Sequence, residues 1–256
     1  MKSNELFDFL VSEAEHPFSG WDFSYINSRF VDAPLTWSYS SKVLPIIRTS
    51  ESLLDMGTGG GEMLATLAPL PKHTCVTEGY KPNVSVARNK LEPLGVKVVY
   101  ITNKETLPFN EDEFELIIDR HEYYNPKEVY RVLKEGGTFI TQQVGDKNNS
   151  KFNSMLNLKK TSANEGEWNL EYATNELEAA GFEILEGKED FTRTRIFDVG
   201  AIAYYLKAIP FDFPDFTVKK YYNKLVEIND YINDNGYLDL DMNNHRFIIK
   251  AKKPKK

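Results

Sequence analysis

The chain has 256 residues, of which 41% are hydrophobic and 27% charged, so it can form a sizeable core and is neither disordered nor collagen-like. Its formal charge of -7 excludes a protein-wide positive field for gathering nucleic acid, although a local basic patch stays open. A single cysteine, Cys75, excludes an intrachain disulfide and a multi-cysteine zinc site, and it fits a reducing compartment.

Residues 1–50 are irregular and rich in aromatic side chains, and we interpret them as a helical cap segment. They lack the continuous apolar run of a secretory signal, and no later segment approaches the roughly 20 apolar residues that span a bilayer. We therefore expect a cytoplasmic protein with no membrane partner.

Strands and helices alternate after residue 52. Short apolar runs predict seven strands, at residues 52–56, 73–77, 96–101, 114–118, 138–144, 182–185 and 246–251. Helix-forming stretches and apolar residues at intervals of three and four predict helices at residues 62–68, 82–94, 126–133 and 170–180. The almost continuous apolar character of residues 114–118 indicates a parallel strand that is covered on both faces.

This order predicts an α/β fold, a doubly wound Rossmann-like sheet of seven mixed strands with helices on both faces. The predicted parts are the cap segment at residues 1–50, a core at 51–186, an insertion at 187–245, a last core strand at 246–251 and a solvated basic tail at 252–256. Residues 218–232 carry one apolar helical face, so the insertion is helical, and we expect it to cover a binding site.

A glycine-rich turn joins the first core strand to its helix, in the sequence Asp-Met-Gly-Thr-Gly-Gly-Gly-Glu at residues 55–62. Ligands of open α/β sheets bind at such turns, where glycine allows a positive φ and a close approach to the backbone. A dinucleotide fingerprint would need glycine at position 62, which is Glu62, and no Lys-Ser/Thr follows to make a P-loop. The pattern favours a nucleoside ligand with an amino group over NAD, with a ligand-free tight turn as the alternative.

A carboxylate follows at the end of the second core strand. Glu78 lies 21 residues after Gly57 and can accept hydrogen bonds from both hydroxyls of a ribose. Next to it, Gly79 leaves room for the sugar, and Tyr80 can lie against an adenine face or serve ordinary packing.

These residues resemble the class I S-adenosylmethionine-dependent methyltransferases, whose first motif is an acid followed by Gly-x-Gly-x-Gly. The resemblance covers most of residues 52–186 and includes two elements typical of the type-11 members. Leu-Pro-Phe at residues 107–109 is similar to the element after their third strand. Val-Leu-Lys-Glu-Gly-Gly at residues 132–137 is similar to the turn before their fifth strand, with Glu135 in place of a proline.

The resemblance implies that the chain binds S-adenosylmethionine and releases S-adenosylhomocysteine. The residues that it assigns to the cofactor are Asp55, Gly57, Thr58, Gly59, Gly61, Glu78, Gly79, Tyr80, Asn103, Lys104 and Arg120. Asn103 departs from the aspartate that binds the adenine amino group in many members, so that contact would lose a charge. By the same comparison, the backbone N–H of Lys104 would face adenine N1, and Asp55 would approach the methionine amino group or only cap the helix.

Four polar residues, Asp-Arg-His-Glu at 119–122, follow the buried fourth core strand, where the family places residues between cofactor and acceptor. Polar side chains at such a point need partners or a cavity. With a reference pKa near 6.5, His121 is a candidate general base that Glu122 would orient. The alternative is that His121 only shapes the cofactor pocket.

The acceptor is predicted from the parts outside the core. Aromatic residues there suit a planar acceptor if they face the cleft, or they are core packing; they are Trp21, Phe23, Tyr25, Phe30, Trp37, Tyr39, Phe197, Tyr204, Tyr205, Phe211, Phe213 and Phe216. Arg193 and Arg195 can meet an anionic acceptor or be solvated surface. On charge grounds we expect a small-molecule acceptor, with ribosomal RNA as an alternative.

Two other classes stay open: a protein that binds the cofactor without transferring a methyl group, and, less favoured, a nicotinamide-dependent oxidoreductase. No metal site is expected, because His16, His73, His121 and His245 are scattered without ligand spacing.

Overall fold

The computed structural model describes residues 3–19, 21–157, 168–210 and 213–255. Its strands are β1 (Phe30–Asp32), β2 (Ser52–Met56), β3 (His73–Glu78), β4 (Lys97–Tyr100), β5 (Phe114–Arg120), β6 (Leu133–Val144), β7 (Glu183–Ile196) and β8 (Leu238–Lys252). Its α-helices are α1 (Ser3–Ala14), α2 (Tyr39–Ile47), α3 (Glu62–Thr66), α4 (Lys81–Leu91), α5 (Pro126–Val132), α6 (Ser150–Leu156), α7 (Leu170–Ala179), α8 (Val199–Ala208) and α9 (Val218–Asn235).

The strands form one mixed sheet in the order β1-β7-β8-β6-β5-β2-β3-β4. β4, β3, β2, β5 and β6 are parallel, whereas β8 is antiparallel to both β6 and β7. The predicted α/β class and the seven core strands are confirmed. The eighth strand, β1, pairs antiparallel with β7; its three residues carry no apolar run that sequence reasoning could detect.

Two strands are much longer than predicted. β7 and β8 pair from Glu183↔Lys252 to Ile196↔Leu238, so both strands extend well into the predicted insertion at 187–245. Among the described residues, the helical part of the insertion consists of α8 and α9. The sequence of β7 hides this extension because most of its side chains are charged or polar and partly exposed. Such a strand shows no continuous apolar signal.

Helices cover both faces of the sheet. Side chains alternate along a strand, so Leu53 belongs to the cluster under α2 and α4, and Leu54 belongs to the cluster under α5 and α7. A third cluster joins α1 to α8 and α9 through buried residues such as Leu10, Ile202 and Leu225. Helix α1 of the cap segment therefore forms one packed unit with α8 and α9 of the insertion, whereas α2 of the cap segment packs on the sheet.

An ion-pair cluster ties this unit together. Arg29 Nη1 lies 2.9 Å from Glu13 Oε2 and 3.3 Å from Asp198 Oδ1, which joins the loop after α1 to α1 itself and to the start of α8.

At the other end of the chain, the prediction of a solvated tail at 252–256 is wrong for Lys253. This residue is 5% exposed and donates to Asp112 Oδ1 at 2.7 Å. Lys256 and Phe211 lie outside the described residues. Across the described ranges, no helix is long and apolar enough to cross a bilayer.

Candidate active site

The glycine turn after β2 depends on backbone shapes that favour glycine. Gly57, Gly59 and Gly61 have φ values of +62°, +63° and +81°. Thr58 N–H donates to the Thr77 carbonyl at 3.0 Å, which holds the turn against β3. A Cβ on Gly57 would lie only 2.4 Å from the Cβ of Glu122. The three glycines therefore have a left-handed backbone, and the Glu122 side chain packs closely against Gly57.

If the turn binds the adenosyl ligand that the resemblance implies, replacing Gly57 with alanine should remove this binding. The left-handed backbone costs about 1–2 kcal/mol for a residue with a Cβ, and here the methyl group would also displace Glu122. Gly95→Ala is a matched control, since its φ is +82° but nothing lies within 4 Å of the added Cβ. Urea unfolding should find destabilisation in both variants, larger in Gly57→Ala because of the contact with Glu122, and calorimetry with S-adenosylhomocysteine should find affinity lost only in Gly57→Ala. Unchanged affinity in Gly57→Ala would contradict this account of the turn.

Glu78 ends β3 beside this turn and is 5% exposed. Its Oε1 accepts a hydrogen bond from the backbone N–H of Tyr80 at 2.6 Å, which orients the carboxylate. Burial raises the pKa of Glu78, and the charge of Glu122 adds to this, while the N–H groups of Tyr80, Gly59 and Gly79 act in the opposite direction. The Tyr80 side chain is 65% exposed, so its ring is available to a ligand.

Asp55 is buried near the carboxyl end of β2, one residue before the strand ends. Burial raises the pKa of this carboxyl to about 7, against an opposing effect of the Arg120 charge. Arg120 follows in β5, and its guanidinium lies 6.0 Å from the centroid of the Tyr39 ring on α2. The helix of the cap segment thus reaches the carboxyl ends of the parallel strands.

Glu122 and Lys104 close one side of the turn. Lys104 Nζ lies 2.6 Å from Glu122 Oε1, and both line a small pocket with Gly57, Gly79 and Leu107. Asn103 next to Lys104 is used locally, since its Nδ2 donates to Thr106 Oγ1 and its Oδ1 accepts from Glu105 N–H. The predicted roles of these side chains toward adenine stay predictions.

Glu122 was expected to orient His121, but it does not. Glu122 faces Lys104, whereas His121 Nε2 lies 3.1 Å from Gln142 Nε2. Trp37 Nε1–H donates to Gln142 Oε1 at 2.8 Å, and an indole nitrogen can only donate. This fixes the amide so that Gln142 donates to His121 Nε2, and the proton of the neutral ring lies on Nδ1.

The electrostatics of His121 agree with a neutral ring. The His121 side chain is exposed at the protein surface, and desolvation by the neighbouring protein lowers its pKa well below 6.5. The positive charges of Arg246 and Arg120 lower the pKa further. With its Nε2 lone pair occupied, the neutral ring offers an N–H donor rather than a free base.

We expect NMR to find this tautomer. In ¹H–¹⁵N spectra at neutral pH, His121 should carry its proton on Nδ1 and should not titrate between about pH 8 and pH 6. Trp37→Phe removes the donor that orients Gln142 and should increase the Nε2–H tautomer. Loss of the signals in His121→Asn provides the assignment. A dominant Nε2–H form in the wild-type protein would refute the proposed hydrogen-bond chain.

The family described as "Methyltransferase domain" matches residues 54–141, which run from β2 to β6. Residues 54–141 form a class I methyltransferase domain. They contain the glycine turn, Glu78 and the polar residues after β5.

A curated relative is the uncharacterized methyltransferase YcgJ of Bacillus subtilis, which is 29% identical over 102 residues. This match covers 36% of the chain and spans 40% of the length of YcgJ. A putative methyltransferase from Bacillus halodurans has a similar fold, with a TM-score of 0.60 and 22% identity over 86% of this chain and 100% of that one. The [4+2]-cyclase SpnF also shares the fold, with a TM-score of 0.52 and 16% identity over 98% of this chain and 93% of its own.

Trp21 and Trp37 of the cap segment, predicted only as aromatic candidates for the acceptor site, reach the methyltransferase domain, and Gln142 of β6 was missed by motif reasoning. The Trp21 side chain approaches the glycine turn, where a Cβ on Gly59 would lie 3.4 Å from Trp21 Cδ1. Trp37 and Gln142 position His121, as described above. Their aromatic and amide composition was the available signal, but neither lies near a motif in the sequence.

Sequence reasoning identified Asp119 only as the first of the four polar residues at 119–122. It is fully buried, accepts from Gln143 Nε2 at 2.9 Å, and has one oxygen, Oδ2, without a hydrogen-bond partner. Burial raises its pKa well above 3.8. Asp119 lies on the sheet face opposite Arg120, because neighbouring side chains alternate.

Two further groups lie away from the methyltransferase turn. Arg193 pairs with Asp239 at 3.2 Å, and Arg195 pairs with the same carboxylate at 3.7 Å, so both predicted anion contacts are ion pairs within the protein.

At the amino ends of β3 and β5, the potential ligand atoms of His73, Cys75 and Glu113 lie within 4.8 Å of one another. The spacing of histidines along the chain could not indicate this cluster, because Glu113 precedes β5 whereas His73 and Cys75 lie in β3, and only the fold brings them together.

Proposed function

We propose that the chain is an S-adenosylmethionine-dependent methyltransferase that acts on a small-molecule acceptor. The observation that carries the proposal is the arrangement of Glu78 beside the glycine turn of a class I methyltransferase domain. A carboxylate that is oriented by Tyr80 N–H and flanked by Gly79 suits the two hydroxyls of a ribose.

The residues around the turn fit the adenosyl cofactor. Thr58 Oγ1 is buried in the turn within reach of the Asp55 carboxyl, and a hydroxyl can still accept a hydrogen bond from a polar ligand group. Glu78 would hold the ribose, Tyr80 would lie along the adenine, and Asp55 would approach the methionine amino group. When bound, S-adenosylmethionine supplies a methyl group on an electrophilic sulfonium.

Such an electrophile needs little acid–base assistance from the chain. The chain has to hold the acceptor at a reactive distance and exclude water. Trp21 beside the glycine turn and Tyr39 beside Arg120 bring apolar surface of the cap segment to this edge of the sheet. Neutral His121 would donate its Nδ1–H to the acceptor instead of removing a proton from it.

A small acceptor is favoured over RNA for two reasons. The net charge is -7, and Lys253, one of the basic residues near the chain end, is buried on Asp112 and is not free to contact phosphates. Trp21 of the cap segment also lies beside the glycine turn, which suits an enclosed ligand better than a polynucleotide.

Calorimetry tests the proposal. The purified chain should bind S-adenosylmethionine and S-adenosylhomocysteine but not NAD, because Glu62 stands where a dinucleotide fingerprint has glycine. Binding of NAD alone, or of neither adenosyl compound, would overturn the assignment.

One observation favours a second candidate, a cofactor-binding protein without transferase activity. The Nε2 lone pair of His121 is already occupied by Gln142, so the best base candidate is unavailable. Incubation with S-adenosylmethionine and cell extract separates the two candidates. Release of S-adenosylhomocysteine above the level of a Gly57→Ala control supports transfer, whereas tight binding without release supports the second candidate.

A further inference from the structure

Three metal-ligating side chains meet at the end of the sheet opposite the glycine turn. His73 and Cys75 lie two residues apart on β3, so their side chains share one face, and Glu113 directly precedes β5. The ligand atoms of these three residues all lie within 4.8 Å of one another. Among the described residues, this is the single group of three histidine, cysteine or acidic side chains with that spacing.

Contacts around the cluster already orient two of the three side chains. Glu113 Oε2 accepts a hydrogen bond from the Asn110 backbone N–H at 2.7 Å, and Glu113 Oε1 faces His73 Nε2 at 3.1 Å. The His73 ring stacks on Phe114, with centroids 5.4 Å apart and planes 7° from parallel. β2 lies between β3 and β5 in the sheet, so the stacked ring reaches across its amino end. Outer contacts of this kind orient the ligands of metal sites.

The spacing of the cluster is close to that around a zinc ion. Zinc binds sulfur at about 2.3 Å and nitrogen or carboxylate oxygen at about 2.0–2.2 Å, which places tetrahedral ligand atoms about 3.4–3.6 Å apart. The nitrogen and oxygen of the His73–Glu113 pair are 3.1 Å apart, and no pair in the cluster exceeds 4.8 Å. The largest adjustment is therefore about 1 Å, and the His73 side chain, which is 50% exposed, is free to make it.

The thiol distinguishes this cluster from an ordinary ion pair. His245 and Glu189 form a comparable pair at 2.9 Å, but Cys75 is the only cysteine of the chain. Thiolate, imidazole and carboxylate are the donors that zinc takes in proteins, whereas calcium and magnesium take oxygen ligands. The thiolate and the carboxylate together carry two negative charges, which balance a divalent cation.

We propose that His73, Cys75 and Glu113 bind a zinc ion, with water as the fourth ligand. Cys75 is buried and binds as a thiolate, and its proton passes to solvent. Glu78 lies at the other end of β3, so the ion is about 16 Å from this residue at the rise of a strand. The zinc ion is therefore separate from the cofactor. It ties β3 to the start of β5 across β2 and stabilises the sheet.

Cobalt(II) spectroscopy tests the site, because cobalt reports its ligands by absorption and zinc does not. The reduced chain is freed of metal with a chelator and titrated with cobalt. We expect one cobalt per chain, with a thiolate-to-cobalt charge-transfer band and the intense visible bands of tetrahedral cobalt. Zinc should displace the cobalt, which gives the zinc affinity. At a free zinc concentration about 100 times the Kd, urea unfolding should find the unfolding equilibrium constant lowered about 100-fold.

Three variants address the ligands one at a time. Cys75→Ala should lose the charge-transfer band without burying a new polar group. His73→Asn and Glu113→Gln should each lower the zinc affinity by at least about tenfold, because loss of even an outer partner of a metal site costs about tenfold to a hundredfold. His16→Asn is the matched control: it removes another exposed histidine, from the cap segment, and should leave band and affinity unchanged.

The site and the proposed function fail on different results. Circular dichroism checks the fold of each variant, and His73→Asn and Glu113→Gln carry the test if Cys75→Ala does not fold. A wild-type cobalt spectrum without the charge-transfer band, unchanged zinc affinity in either of these two variants, or an equal loss in His16→Asn would overturn the site and leave the cofactor assignment intact. Absence of S-adenosylhomocysteine binding beside a normal cobalt spectrum would overturn the proposed function alone.

Discussion

Replacing Glu78 with alanine is expected to weaken the binding of S-adenosylhomocysteine about a hundredfold or more. Hydrogen bonds to a charged group contribute about 1.5–3 kcal/mol each, and one carboxylate can accept two from the ribose. Burial strengthens the effect because Glu78 is 5% exposed and water cannot easily replace its contacts. Calorimetry of the purified variant measures the change.

Two further variants make this result specific. Glu78→Gln keeps the shape but removes the charge, so its loss of affinity should be smaller, about tenfold. Glu186→Ala removes a carboxylate of β7 that pairs with Lys42 at 2.6 Å, far along the sheet from the glycine turn, and should not change affinity. If Glu78→Ala bound the cofactor as the wild type does, the pocket assignment would fail.

Asp55 should make the ligand-free protein less stable as the pH rises. Burial raises the folded-state pKa from 3.8 to about 7, so between these values the folded state holds a proton that the unfolded chain has released. The stability associated with the protonated group is complete below about pH 4 and is lost as the pH rises through 7. Burying the ionised carboxylate at pH 8 then costs about 2–4 kcal/mol.

Asp55→Asn should therefore be more stable than the wild type at about pH 8, and the difference should shrink by about pH 5. Urea unfolding at both pH values measures it. Asp241→Asn, at a carboxylate with a 70% exposed side chain, is the control and should shift stability little at either pH. A variant that is less stable than the wild type at pH 8 would mean that ionised Asp55 is well compensated, for example by Arg120.

The proximity of the glycine turn and Glu78 could be predicted from the sequence because these residues are local. A strand, a glycine turn and a helix start follow one another within residues 52–66, and Glu78 ends the neighbouring strand. Parallel neighbours bring their carboxyl ends to one edge, so linear spacing is enough to infer proximity. The matched methyltransferase region at residues 54–141 covers these same elements.

The rest of the site could not be predicted, because its contacts join distant segments. The hydrogen-bond chain from Trp37 through Gln142 to His121 spans three separate parts of the chain. Glu122 was expected beside His121, its neighbour in sequence, but adjacent residues at a strand end diverge, and Glu122 pairs with Lys104 instead. His121 itself has φ of +70°, a turn that spacing arguments do not anticipate.

The sequence by itself determined the α/β class, the order of seven strands, the glycine turn and the position of Glu78 at the end of the neighbouring strand, since short-range patterning and parallel strand order dictate them. Only the tertiary structure decided which charged side chains are paired with one another. Arg193 and Arg246 look alike in the sequence, but Arg193 pairs with Asp239, whereas Arg246 donates to Asn148 and to the His245 carbonyl. Burial and pairing depend on the packing of β7, β8 and the cap segment, which are far apart in the chain.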